Sequence, residues 1–265
     1  MDNLFEAAQH CLAVCEPDEK TALTHGTAAA WRKGRLLPES VRAPDPIAEP
    51  GRPRRLRLVA PKKLPRRRVN SRQGHAALLH AICHIEFNAI NLAWDAVYRF
   101  RDMPVEFYDD WVRVADEEAT HFNLLHRCLQ NISCEYGDFE AHNGLWEMAQ
   151  KTAFDPLVRM ALVPRVLEAR GLDVTPGIMK KLEMCGDKCA VAALEIVLRD
   201  EIGHVAIGSH WFKYLCKKRK IDPETTFRSL LSQYMTGRVR GPFHKRARLK
   251  AGFSEDELAY LESVG

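Results

Sequence analysis

The sequence predicts an all-α protein organised as a four-helix bundle. Three observations carry that expectation. No segment alternates apolar and polar residues with the period of two that a half-buried strand requires. From Gly74 almost to the end, apolar residues recur at helical spacing instead, and four of the resulting helices reach about 25 residues, a length that suits a bundle. Glu and His side chains also stand inside the apolar stripes of those helices, at matching intervals.

The chain of 265 residues is long enough for one large domain with an extension. Its 46% hydrophobic and 28% charged residues are ordinary for a globular protein. No apolar run looks long enough to cross a bilayer, so no membrane partner is expected. The opening MDNLFEAAQHCLAVCEPDEK lacks a basic region followed by an uninterrupted apolar one, which leaves a cytoplasmic location as the expectation. The eight cysteines are scattered and read as reduced, mostly buried side chains. Cys11 with Cys15, and Cys185 with Cys189, place two thiols on one helix face, but neither spacing matches a zinc or redox motif.

In chain order, two short helices open the sequence, at about Leu4–Val14 and Lys20–Trp31. Seven of the 14 prolines then fall between Pro38 and Pro65, which makes this stretch extended and irregular. It reads as a strap. Residues 1–73 are thus expected to form N-terminal helices and a Pro/Arg-rich strap, and residues 74–265 a bundle with additional C-terminal helices. Between Gly51 and Arg72 the strap carries ten basic residues and no acid, Arg66, Arg67 and Arg68 among them. The long helices are expected at Ala76–Phe100, Glu106–Gln130, Leu145–Arg170 and Lys188–Lys218. Pro164 should kink the third, and Gly171 should stop it. A short helix should span Pro176–Cys185. Asp222-Pro223 is a good N-cap and first-turn pair for a further helix, and Ser254 with Glu257 forms a capping-box pattern for the last.

Glu86 lies in the stripe of the first long helix, between Ile82 and Ile90. Glu118 lies in that of the second, with His121 three residues on. Glu201 and His204 repeat the pair in the fourth, among Val197, Leu198 and Val205. Residues three apart on a helix are separated by roughly 60° and about 4.5 Å, so such a Glu and His can reach one ion. Apolar cores do not accept several carboxylates without compensation. Two divalent cations would balance four carboxylates and two neutral imidazoles. Dimetal carboxylate bundles use one Glu on each of two helices and Glu-x-x-His on each of the other two. The third helix should therefore supply one more Glu. Glu168 and Glu147 are the options, and helix length and winding favour Glu168. Mixed oxygen and nitrogen donors suit two iron ions, or two manganese ions, better than zinc. Glu117 and Asp200 each precede a ligand Glu and can orient a ligand His from behind, Asp200 on His121 and Glu117 on His204.

The stretches LLHAICHIEFNAINLAWDAVYRF, FYDDWVRVADEEATHF, GLWEMAQKTAFDPLVRMALVPRVLEARGLDVTP, LRDEIGHVAIGSHWF and GRVRGPFHKRARLKAGFSEDEL resemble a family of bacterial ferritin-like proteins of unassigned function. The resemblance runs from about Pro53 almost to the end. It implies the ferritin-like four-helix fold and a dimetal site with Glu86, Glu118, His121, Glu168, Glu201 and His204 as ligands. The ligand plan is similar to that of the ferritin-like tRNA hydroxylases, which oxidise a prenylated adenosine.

A reduced di-iron centre of this kind would use O₂ to hydroxylate an organic substrate, with a modified nucleoside in tRNA as one candidate. The four glutamates would be its catalytic carboxylates. No Gly-rich phosphate loop or dinucleotide fingerprint is present, so a partner reductase must supply electrons. The alternatives are a ferroxidase or peroxide-detoxifying protein, a dimanganese catalase-like enzyme, or a non-catalytic helical scaffold or RNA-binding protein with a structural metal. His244, Lys245 and Arg246 are candidates to bind an anionic substrate. The strap is expected to pair with acidic helix faces such as Asp109, Asp110, Asp116 and Glu117 in preference to phosphates.

Overall fold

The computed structural model describes residues 2–39, 42–65, 69–235 and 239–264. Among them the regular structure is helical. The two β-bridges, Asn3 with Leu37 and Leu58 with Ala141, are isolated. The all-α expectation holds. Arg66, Arg67 and Arg68 lie outside the described residues. The chain forms two compact units, the first of Met1–Glu147 with Cys185–Ala193 and the second of Met148–Met184 with Leu194–Gly265.

In the first unit, helix α1 (Leu4–Ala13) starts at Asn3, whose side chain accepts hydrogen bonds from the Phe5 and Glu6 amides. Helix α2 (Pro17–Arg32) starts with proline in its first turn, where a missing N–H costs nothing. Lys20 of α2 is fully buried. Its ammonium donates to the Cys11 and Leu12 carbonyls at the end of α1, at 2.7 and 3.2 Å, and to Asn91 Oδ1 at 2.7 Å. Those carbonyls have no partner within their own helix, so the lysine closes α1 and ties it to the next helix.

Helix α3 (Arg72–Arg99) is capped by Ser71, whose Oγ accepts from the Gly74 amide. Twenty of its 28 residues are buried, which makes it the central helix of this unit. Among the described residues it is the one helix long and apolar enough to cross a membrane, and 78% of that apolar window is buried inside the protein. Helix α4 (Val105–Asn131) follows after a short connection, which makes the two helices antiparallel neighbours. On the far side of α4, Asp116 accepts from His25 and Arg32, and Asp109 accepts from Trp31.

Those acids are engaged by α2. The basic strap does find carboxylates, but different ones. Arg52 pairs with Glu49, Arg55 with Glu135 and Asp138 at 3.6 and 3.9 Å, and Arg57 with Glu140 at 3.3 Å. Its backbone is held by two hydrogen bonds with Ala141: the Val59 amide donates to the Ala141 carbonyl, and the Ala141 amide donates to the Arg57 carbonyl. The Arg55, Arg57 and Val59 bonds run to the loop after α4, whose acids read as ordinary loop residues in the sequence.

Cysteine pairing departs further from expectation. Cys128 of α4 is joined to Cys189 by a disulfide, with Cα atoms 5.9 Å apart, so these two are not reduced thiols. Cys189 lies in the first turn of α8 (Lys188–Arg219). The partners are 61 residues apart, and no local spacing announces them.

In the second unit the expected third helix is broken. Helix α5 (Gly144–Lys151) ends early, and Asp155 caps a new helix, α6 (Pro156–Leu162), by accepting from the Leu157 amide at 2.8 Å. The chain then widens into a π-helix over Val163–Glu168 and continues as α7 (Ala169–Met184). Pro164 lacks the N–H that an α-helical turn would use, and its ring crowds the preceding turn. The wider π-turn takes up this misfit. Gly171 does not stop the helix. The stop falls at Gly186, which adopts φ +76 just beyond α7, and the segment read as a separate helix at Pro176–Cys185 is the end of α7. Helices α9 (Pro223–Tyr234), α10 (Lys245–Lys250) and α11 (Glu255–Val264) complete the unit. Asp222 caps α9 through the Thr225 amide, and Ser254 and Glu257 exchange both hydrogen bonds of a capping box.

Candidate metal centre

Glu86 sits halfway along α3, and Glu118 and His121 sit side by side on α4. All three are buried. His121 Nδ1 lies 3.3 Å from Glu118 Oε2 and 3.5 Å from Glu86 Oε2. Burial alone would lower the basicity of this imidazole. The two carboxylates outweigh burial and push its pKa up to about 11. A proton on His121 thus offsets part of the negative charge, and a cation taking these donors must displace it.

Aromatic residues pack beside two of these residues in the sequence. Phe87 and Phe122, each directly after a candidate ligand, meet edge to face at 5.4 Å. Tyr136 packs on both, at 5.1 and 5.3 Å. Its hydroxyl donates to His84 Nδ1, while His84 Nε2–H donates to the His142 carbonyl.

On α8, Glu201 and His204 are buried and stand in the same relation, with His204 Nδ1 3.4 Å from Glu201 Oε1. Glu86, Glu118, His121 and Glu201 each offer one ligand atom, and these atoms all lie within 4.8 Å of one another. Three carboxylate oxygens and one imidazole nitrogen, buried together, could hold a metal ion. This donor chemistry fits a divalent cation with a preference for oxygen and nitrogen.

Glu168 closes the π-helix and is partly buried, whereas Glu147 on α5 is exposed. Glu117 and Asp200 are partly buried, and Asp200 accepts from Arg199 beside it at 2.8 Å. The three residues considered for an anionic substrate lie at the start of α10. His244 Nδ1 accepts from the Ala247 amide and caps α10, Lys245 pairs with Glu262 at 2.9 Å, and Arg246 is exposed.

A different buried group gave no sign in the sequence. Arg165 on the π-helix donates to both oxygens of Glu257 at 2.7 and 2.8 Å and to Ser209 Oγ at 3.1 Å. The capping-box pattern marked Glu257 as a helix cap, but nothing marked its partner 92 residues earlier.

The helices and the buried carboxylate–imidazole group together define an all-α protein with a candidate metal site. Residues 13–259 match the family described as "Protein of unknown function (DUF455)", and the chain belongs to that family. An "Uncharacterized protein" of Haemophilus influenzae is 52% identical over 214 residues, covering 78% of this chain and 74% of that relative. No solved structure matches the chain.

Proposed function

We propose that the protein is a non-haem dimetal oxidoreductase of the ferritin-like four-helix plan. It would hold two iron ions, or two manganese ions, and use O₂ to hydroxylate an organic substrate. The observation that carries this reading is the buried group of Glu86, Glu118, His121 and Glu201, with ligand atoms within 4.8 Å of one another. The repeated Glu-x-x-His supports a second ion. Glu86, Glu118 and His121 would take one ion, and Glu168, Glu201 and His204 the other. When bound, the pair would supply the reduction of O₂ that the side chains cannot perform.

The residues of the chain contribute three things. The carboxylates would supply oxygen donors to the cations. His121 gives up its proton on loading. The Phe87–Phe122–Tyr136 cluster, beside Glu86 and His121 in the sequence, would stiffen the helices that carry these donors. Asp200 and Glu117 are proposed to orient the ligand histidines through their second nitrogens. Electrons would come from a separate reductase.

Anaerobic titration with Fe(II) tests the reading. The intact chain should take up two ions, and Glu118→Ala should lose the pair. Admission of O₂ to the loaded protein should then bleach or develop visible absorption within seconds. A chain that takes up fewer than one Fe(II) or Mn(II) under these conditions is not a dimetal enzyme. O₂ uptake in fixed proportion to iron, with ferric mineral as the product, would move the assignment to a ferroxidase. Retention of tRNA that weakens with salt, and survives loss of the metal, would move it to the RNA-binding class.

A further inference from the structure

The two buried arginine–carboxylate pairs of the second unit bracket Glu168. Three residues before it, the Arg165 guanidinium is fully buried and held bidentately by Glu257 of α11. It also lies against three rings, with Phe212, Phe227 and Phe253 at 4.8, 4.2 and 4.5 Å from its carbon. On the other side of Glu168, Arg248 of α10 donates to Asp173 of α7 at 2.9 and 2.7 Å and to the Ala169 carbonyl at 3.4 Å. Ala169 is the residue directly after Glu168. The Phe253 ring serves both guanidiniums, since Arg248 lies 5.1 Å from it.

A third contact fixes the same turn from α8. Pro164 lies so close to Gly208 that a Cβ on the glycine would fall 2.4 Å from the proline Cβ and Cγ. A proline ring has no flexible end that could swing away. Gly208 and Ser209, which also receives Arg165, follow His204 by four and five residues. The π-turn is thus seated on the part of α8 just after the Glu201-x-x-His204 motif.

Stability alone does not call for this construction. Two buried ion pairs replaced by apolar residues of similar size would pack at least as well, because desolvating charge is costly. Bidentate pairs do something apolar contacts do not, which is to fix one register. A π-turn needs that, since it competes with ordinary α geometry at every residue.

We infer that α10 and α11 form a clamp that positions Glu168, with Arg165, Glu257, Arg248 and Asp173 as its positioning residues. This rests on the dimetal reading, in which Glu168 is a ligand of the second ion. None of the clamp residues is a donor to the first ion in that reading, so loss of the clamp should be felt at the second ion.

The test uses the full chain and Co(II) or Fe(II) as the probe, with two charge-removing variants, Glu257→Gln and Asp173→Asn. Circular dichroism establishes that each is folded at the titration temperature. The second ion should bind about 10- to 100-fold more weakly in either variant, the range expected for losing support behind a ligand. The first ion should keep its affinity, and the Co(II) visible spectrum should change only in the band that grows with the second equivalent. A general loss of stability would weaken both ions alike and would overturn the inference. Two ions bound with wild-type affinity and spectrum in both folded variants would also overturn it, while leaving the dimetal reading intact. If the wild-type chain itself takes up no pair, the dimetal reading fails, and the clamp's role falls with it. Gly208→Ala attacks the same turn without touching a charge and should reproduce the selective loss.

Discussion

Replacing Cys128 and Cys189 by alanine should destabilise the first unit by about 4 kcal/mol. The disulfide closes a loop with a sequence separation of 61 residues. Chain-entropy reasoning assigns such a closure an unfolded-state entropy loss of roughly 14 cal/mol/K, or about 4 kcal/mol at room temperature. In a chain of this size each kcal/mol moves the midpoint by about 2–4 °C, so a fall of roughly 8–16 °C is expected. Differential scanning calorimetry with and without dithiothreitol measures it. The oxidised wild type should melt highest, and the reduced wild type should coincide with the double variant, because both lack the same constraint. Alkylation followed by mass measurement counts free thiols in parallel. The reasoning fails if reduction frees the two thiols and leaves the midpoint within about 2 °C of the oxidised value, since a real constraint on the unfolded chain cannot be released without cost. A transition that shifts only in the second unit would fail it equally, because both cysteines belong to the first.

Further outcomes follow from single side chains. His80 accepts from the Gly137 amide through Nε2, and burial, with Asp138 opposing and Arg55 assisting, lowers its pKa from 6.5 to about 4. Its contribution is complete above pH 6.5 and is lost as the pH falls toward 4, because the unfolded chain takes up the proton first. This is worth about 3 kcal/mol, and denaturant melts at stepped pH should show a shallower acid slope for His80→Gln. Thr24→Val leaves the buried Trp94 indole N–H, now 3.0 Å from Thr24 Oγ1, without an acceptor. A loss of about 1–3 kcal/mol in urea unfolding is expected. Asp155→Ala removes the cap of α6 and both hydrogen bonds from Arg219. It should cost about 1–2 kcal/mol by the same measurement.

Helix starts were legible where a side-chain cap announces them. Asp222-Pro223 and Ser254–Glu257 appear in the structure as the sequence writes them. Asp155-Pro156 carries the same signal but stands inside a continuous run of helical periodicity, and periodicity alone hides a break when the chain resumes on the same face. Gly171 shows the converse error. Glycine stops a helix when the chain needs a positive φ after it, and here that residue is Gly186. For the site, Glu86, Glu118, His121 and Glu201 were legible because a charged residue in an apolar stripe is costly and so demands a partner. Glu168, favoured over Glu147 in the sequence, ends a π-turn that α periodicity does not foresee. The Cys128–Cys189 bond and the Arg165–Glu257 pair left no trace, because each depends on contacts between residues far apart in the chain.

Glu257 shows how a local motif and a distant contact come to depend on each other. One of its oxygens accepts from the Ser254 amide as the cap of α11, and the same oxygen and its neighbour accept from Arg165. A carboxylate offers enough lone pairs for all three bonds, so the cap does not compete with the ion pair. The cap fixes the side chain's rotamer, and the guanidinium then meets an acceptor that is already oriented. Conversely, the three rings around Arg165 exclude the water that would otherwise compete for both. The capping box, worth only about 1 kcal/mol on an isolated helix, therefore acts here as the anchor of a buried charge. That coupling ties the start of α11 to the turn that carries Glu168.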